Sequence, residues 1–213
     1  ERSRGLGDVY KRQTHNIAVP DFYAMCSYHG KLNEPDLLSY NNKVNKALFI
    51  GGTTGNADPT KNKRISLCQW AETRDWIDAY ISDVVQMSYY DFKNYTKFIH
   101  PHITPRFQKM YRHLVSVDGN TAAWDRIPWI LSSQSVLWKE ESDHICWWNR
   151  ELKPEVHFVP FTLSNFESKF VNFSGGEHIV CEANQFVNKY LTIEKHAEFL
   201  RIFFNEVIEW KAP

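Results

Sequence analysis

The sequence predicts an α/β layer fold with a mostly parallel, Rossmann-like sheet. Short apolar runs alternate along the 213-residue chain with segments of helical spacing, and small-residue turns close the runs. Residues 113–160 read in order as strand, turn, helix and strand, the unit that crosses between parallel neighbours. No internal repeat, low-complexity tract or linker to a second domain interrupts the alternation.

Residues 17–19 form a short apolar run ending at Pro20-Asp21 and are expected as a strand. Residues 46–50 are a second strand, running into Gly51-Gly52-Thr53-Thr54-Gly55, and residues 64–72 read as a helix that 76–80 could prolong. A strand is expected at 84–87, an irregular stretch broken by Pro101 and Pro105 over 92–108, and a helical turn at 110–112. Leu114, Val115 and Val117 make the strand that stops at Asp118-Gly119-Asn120. Helical spacing follows over 124–132, with Pro128 tolerable only in a first turn. Residues 136–138 and 156–159 are further strands. Two helices are expected between 177 and 210, the second with Phe199, Ile202, Phe203, Val207 and Trp210 as a core-facing stripe.

The stretch around Gly119 carries the chemistry. Thr121, Ala122 and Ala123 are small enough for a ligand to approach the backbone, and a helix start gathers free N–H groups that favour phosphate. Arg126 adds a bidentate donor, so a diphosphate is the natural guest. In parallel sheets such ligands sit at the carboxyl ends of strands. Gly51, Gly52 and Thr53 could cradle phosphate or sugar hydroxyls in the same way. Glycine turns after strands are also commonly just turns, and this spacing fits neither the P-loop nor the dinucleotide fingerprint.

Composition bounds the partners. Hydrophobic residues make up 43%, aromatic ones 15%, and 25 basic residues balance 25 acidic ones, which allows a real core and offers no basic excess for a nucleic-acid backbone. No apolar run approaches the roughly twenty residues of a membrane helix. Cys26, Cys68, Cys146 and Cys181 are far apart and are expected as buried free thiols rather than a zinc site or disulfide framework. His100-Pro101-His102 lacks a third ligand, so no metal is expected. Residues 3–13, SRGLGDVYKRQ, are the translation of a common transposase sequencing adapter, so 1–13 are expected not to be native and the domain to occupy 14–213. Without them the native part is slightly acidic.

At these residues the chain resembles a known family. DGNTAAWDR, SSQSVLWKEES, WW, LKP and HFVP, preceded by NIAVPDFY and by ALFIGGTTG with Arg64, look in this order like glycosyltransferase family 90. That family includes lipopolysaccharide-modifying enzymes, fungal capsule-associated proteins and animal protein O-glucosyltransferases. The resemblance implies the donor-binding half of a two-domain GT-B glycosyltransferase. It implies transfer of a sugar, with inversion and without a metal or other cofactor, from a nucleoside diphosphate sugar, UDP-linked, to a hydroxyl of a glycan, lipopolysaccharide or protein. It places Asn120, Thr121, Ala122, Ala123 and Trp124 in the nucleotide-sugar loop and Arg126 at or beside a phosphate-binding arginine, with Asp125 inserted.

Lys139 and Glu140, just past the second strand of the crossover, are candidates for phosphate or base and for ribose hydroxyls, against the alternative of a solvated charge cluster. Asp21 lies near the acceptor-side segment, against the alternative of a turn cap. The family's catalytic base, an Asp, lies upstream of the part matching Asn16, so the chain as given is expected to lack it and to be inactive alone. Ile50 departs from the family, which usually carries Arg there. The missing charge-assisted bonds, about 1.5 to 3 kcal/mol each, would weaken donor binding unless Arg64 or Lys63 substitutes. A non-catalytic nucleotide-sugar or glycan-binding relative is therefore the alternative, and a nucleotide-binding domain of unrelated chemistry a third reading. The compartment stays open: cytoplasmic or peripheral at the inner membrane in a bacterium, the secretory lumen in a eukaryote.

Overall fold

The computed structural model describes residues 10–11, 32, 34–123 and 125–211, the last six as backbone. The expected strand at 17–19, with Asp21, Cys26 and Trp124, lies outside the described residues. Five strands, β1 (Val44–Gly51), β2 (Ile77–Ile81), β3 (Tyr111–Ser116), β4 (Val136–Glu140) and β5 (Val159–Phe161), form one parallel sheet in the order β2-β1-β3-β4-β5. Ala47 stands opposite both Ile77 and His113, Leu114 opposite Leu137, and Trp138 opposite Val159. A separate antiparallel ladder of two residues joins Tyr10–Lys11 to His144–Ile145.

Helices cover both faces, as a parallel sheet requires. They are α1 (Lys63–Ala71), α2 (Tyr89–Phe92), α3 (Pro105–Gln108), α4 (Arg126–Leu131), α5 (Phe166–Val171), α6 (Gly176–Tyr190) and α7 (Ile193–Lys211). Alternate strand residues feed two cores. Ala47, Phe49, Val115 and Trp138 pack with Ile65 and Cys68 of α1 and with Phe166, while Leu48, Leu114 and Leu137 pack with Ile127 and Ile130 of α4 and with Phe186. Strands buried on both sides read as continuous apolar runs, which is why β1, β3 and β4 were visible in the sequence.

Four expectations fail, each for a local reason. Residues 76–80 do not prolong α1: Ile77, Ala79 and Ile81 are buried in alternation and form β2. Residues 84–87 are loop rather than strand, because Gln86 sits at φ 63° and Thr53 takes both backbone groups of Val85. Tyr111 and Arg112 begin β3 instead of a helical turn, with Met110 accepting from the Val44 N–H. The strand expected at 156–159 begins only at Val159, after a turn in which Glu155 adopts φ 60°.

Two burial expectations also change. The α7 stripe is only partly core: Phe199 packs on Trp147, but Ile202 is exposed. Cys68 and Cys146 are buried free thiols, whereas Cys181 is exposed on α6. Among the described residues no helix is long and apolar enough to cross a membrane.

Candidate functional site

In chain order the sheet runs 2-1-3-4-5, so the chain winds away from β1 in one direction and from β3 in the other. Connections leaving the carboxyl ends of these two neighbours diverge and open a crevice between them, the place where ligands of doubly wound sheets bind. A cleft of about 280 Å³ lies there, lined by Thr54, Arg64, residues 119–123, Asp125 and Arg126. Ligand pockets run to roughly 300–1,000 Å³, so a cleft of this size has room for a small group and would leave the rest of a larger ligand outside.

The loop after β1 forms one wall. Asn62, fully buried, ties it in place: its Nδ2 donates to the carbonyls of Thr53 and Asn56, each at 2.9 Å, while its Oδ1 accepts from Arg64 and Ile65 N–H and caps α1. One side chain thus shapes the loop and aims the helix that carries Arg64. Gly55, at φ 118°, closes against Gly119, where an added Cβ would overlap Thr54 Oγ1 and lie 3.1 Å from Arg64 Nη2. The two loops meet so closely that position 119 admits only a hydrogen.

Two arginines supply the charge. Arg64 Nη1 donates to Gly52 O at 2.8 Å, and its Nε and Nη2 donate to Val117 O at 3.2 and 3.0 Å, bridging the ends of β1 and β3. Arg126 spans the same strands, donating to Ile50 O and, at 3.3 Å, to Val115 O, with its guanidinium 5.2 Å from the Phe49 ring centre. Burial, and after it the positive charge of Arg64, push the Arg126 pKa down to about 9, which still leaves it protonated at neutral pH. Arg64 is lowered by burial, against the opposing pull of Asp118 and Glu140. Neither makes an ion pair among the described residues. Their direct hydrogen-bond partners among the described residues are carbonyl oxygens, while Asp118 and Glu140 act on Arg64, and Asp125 on Arg126, from farther off.

The loop after β3 is organised by Asp118, buried at the strand end. Its Oδ1 accepts from the Ala123 N–H at 3.3 Å, and its Oδ2 accepts from the Ser142 hydroxyl and lies 3.2 Å from His144 Nδ1. That clamp curls residues 119–123 over the cleft. Among the described residues, the N–H groups of Asn120, Thr121 and Ala122 meet no protein acceptor.

The helix start contributes less than expected. α4 begins at Arg126, not 124, and the N–H groups of Arg126 and Ile127 are both taken by Ala123 O. The donors that face the cleft are therefore guanidinium groups and loop amides rather than a helix terminus.

The structure brings together Gly51, Arg64, Asn120, Thr121, Ala122, Ala123 and Arg126: a Cβ on Gly51 would lie 3.1 Å from Arg126 Nη2. Gly52 and Thr53 belong to the wall, but the Thr53 hydroxyl is taken by Val85 O and Val85 N–H, at 2.7 and 2.8 Å. Glu140 reaches the rim, pairing with Lys63 at 2.9 Å and accepting from Asp118 N–H at 3.3 Å. Lys139 is buried away from the cleft, donating to Glu140 O at 3.2 Å. Ile50 is buried in the sheet, while Arg64 stands at the strand ends near it. Lys63 is committed to Glu140. No cluster of three or more His, Cys, Asp or Glu suited to a metal occurs among the described residues.

Sequence reasoning missed Asn62 and Asp118. Asn62 stood directly before an expected helix, a capping signal that could have found it, and Asp118 was read only as part of a turn.

Three comparisons bear on this architecture. Over 51 residues, 24% of this chain, the sequence is 39% identical to protein O-glucosyltransferase 2 of Danio rerio. Over 134 residues, 57% of this chain, it is 29% identical to uncharacterized protein 035R of Invertebrate iridescent virus 3. The matched regions cover only 10% and 12% of those two proteins. Among solved structures, the C-terminal domain of a glycosyl transferase group 1 family protein (LpcC) from Francisella tularensis overlaps 82% of this chain and 96% of its own, at a TM-score of 0.49 and 7% identity. The profile of the family described as glycosyl transferase family 90 matches residues 29–207, and over that span, which contains every strand of the sheet and the whole arginine-walled cleft, this chain belongs to glycosyl transferase family 90.

Proposed function

We propose that this chain is the donor-binding part of a GT-B glycosyltransferase that moves a hexosyl or pentosyl group from a nucleoside diphosphate sugar, UDP-linked, to a hydroxyl of a glycan, lipopolysaccharide or protein. One observation carries the reading: Arg64 and Arg126, neither of them in an ion pair among the described residues, face one cleft at the point where the strand order reverses. Transfer breaks the bond between the anomeric carbon and the diphosphate oxygen and forms a bond from the acceptor oxygen, whose proton passes to a base. Negative charge grows on the departing diphosphate, and preorganised donors aimed at it lower that barrier. The two guanidinium groups and the amides of residues 120–122 are such donors. Glu140, at the carboxyl end of β4, is the candidate partner of the ribose hydroxyls in this reading. No residue of this chain is assigned as the base.

Calorimetric titration with UDP and UDP-glucose tests the donor site, and the absence of heat at millimolar nucleotide overturns it. The second reading, a relative that binds without catalysing, is favoured by Ile50 in place of the family arginine. Acceptor-dependent release of UDP by the protein in its natural length decides between the two.

A further inference from the structure

We propose that Tyr89 and Tyr90 form a carbohydrate-stacking platform on the β2 side of the cleft that receives the sugar ring of an uncharged glycan acceptor; this rests on the donor-site reading above. The segment after β2 is fastened to the glycine loop. Ser82 N–H donates to Gly51 O at 3.1 Å, Thr53 N–H to Asp83 O at 2.9 Å, and Gly55 N–H to Gln86 Oε1 at 3.2 Å, besides the paired bonds between Thr53 and Val85. A Cβ on Gly52 would touch both Asp83 O and Val85 Cγ2 at 3.4 Å. The loop after β1 is thus tied to residues 82–86, which lead into the turn that carries the tyrosines.

That turn is anchored and its rings are not. Phe92 is fully buried and Ser88 caps α2, whereas Tyr89 is 66% and Tyr90 73% exposed. Lys93 covers one face of Tyr90 at 4.1 Å, and Tyr89 has no ring contact or side-chain hydrogen bond among the described residues. The other strongly exposed aromatic rings among the described residues, Phe107 and Phe204, lie before β3 at the opposite edge of the sheet and on α7. A rigidly based pair of exposed aromatic faces suits the apolar C–H face of a pyranose, with hydroxyls left for polar neighbours.

The charges select the partner. Asp91 follows the two tyrosines in the same turn and Asp83 lies on the segment leading into it, their carboxylates accepting from the hydroxyls of Ser88 at 2.6 Å and Ser82 at 2.8 Å. Carboxylates accept from sugar hydroxyls and repel a polyanion. With Glu140 at the β4 end of the cleft taking the nucleoside, the sugar end of the donor points towards β2, where an acceptor must wait.

The test measures two ligands on one protein. An array of oligosaccharides ending in glucose, galactose, mannose or N-acetylglucosamine, some carrying sulfate, reads glycan binding; calorimetry with UDP reads the donor site. Binding to an uncharged glycan is expected, weakened at least tenfold by Tyr89→Ala and by Tyr90→Ala, retained by Tyr89→Phe, with UDP affinity unchanged. UDP binding without glycan binding, exclusive preference for sulfated glycans, or glycan binding indifferent to both alanines overturns the platform. Loss of UDP affinity in Tyr89→Ala would assign the ring to the nucleotide and likewise overturn it. Failure of UDP binding in the unaltered protein overturns the donor reading instead.

Discussion

The two edges of the sheet bury positive charge in opposite ways. At the amino edge, Lys43 lies just before β1 with no exposed side-chain surface, paired with Asp36 Oδ2 at 2.6 Å and donating also to Lys109 O and, at 3.0 Å, to Ser135 Oγ. Asp36 accepts in turn from the Gln134 N–H at 2.7 Å. At the carboxyl edge, the hydrogen-bond partners of Arg64 and Arg126 among the described residues are carbonyl oxygens. The first arrangement is closed, since a carboxylate neutralises the ammonium and fixes the approach of β1, β3 and β4. The second leaves both guanidinium groups without a direct carboxylate contact among the described residues, the feature on which the donor-site proposal rests.

The largest expected effect breaks the closed edge. Lys43→Met strands Asp36 and should lower unfolding stability by about 3–5 kcal/mol in urea titration, as removal of one partner from a buried pair does. UDP affinity of the folded protein should not change; if it falls in parallel, the edges do not act separately. At the open edge, Arg126→Ala should raise the Kd for UDP at least about tenfold, because charge-assisted hydrogen bonds contribute about 1.5–3 kcal/mol each. Its loss of stability should be well below that of Lys43→Met, because the buried charge, which burial and Arg64 disfavour, disappears along with the bonds it made.

A pH scan sharpens the contrast further. His113, on β3, is buried, accepts from Trp138 Nε1 at 3.2 Å, and is held by burial down to about 3 from an ordinary 6.5. Between those values the unfolded chain binds a proton that the folded one refuses, so stability is full above the ordinary value and falls as pH drops through the window. By pH 5 the loss should reach about 2 kcal/mol, and His113→Gln should flatten this part of the profile in thermal melts. The smallest effect is expected at Ser116, a buried β3 hydroxyl without a hydrogen-bond partner. Ser116→Ala should leave stability unchanged or raise it by up to about 1 kcal/mol, since no bond is lost and no buried group is left unmet.

Much of this was legible in the chain. The runs at 46–50, 114–117 and 136–138 declared three central strands because both faces of each are buried, and Arg64, Arg126 and residues 120–123, all named as site candidates, line one cleft. The edge strand β2 was misread because Ile77, Ala79 and Ile81 follow a helix directly, and a five-residue alternation is too brief to reveal its period. Lys139 and Glu140 are neighbours in sequence with opposite fates. Alternation along β4 sends one side chain into the protein and leaves the other at the rim, a choice settled by which face the helices cover.

The sequence by itself determined the α/β class, the family and the residues that gather at the cleft, because those follow from local apolar period, turn chemistry and motif order. Tertiary structure alone decided that the two arginines form no ion pair among the described residues, that they meet the ends of β1 and β3, and that residues 82–86 fasten to the glycine loop. These are relations between residues tens of positions apart. Whether a charge is neutralised or left available depends on what the fold sets within a few ångströms of it, and no short window of sequence contains that distance.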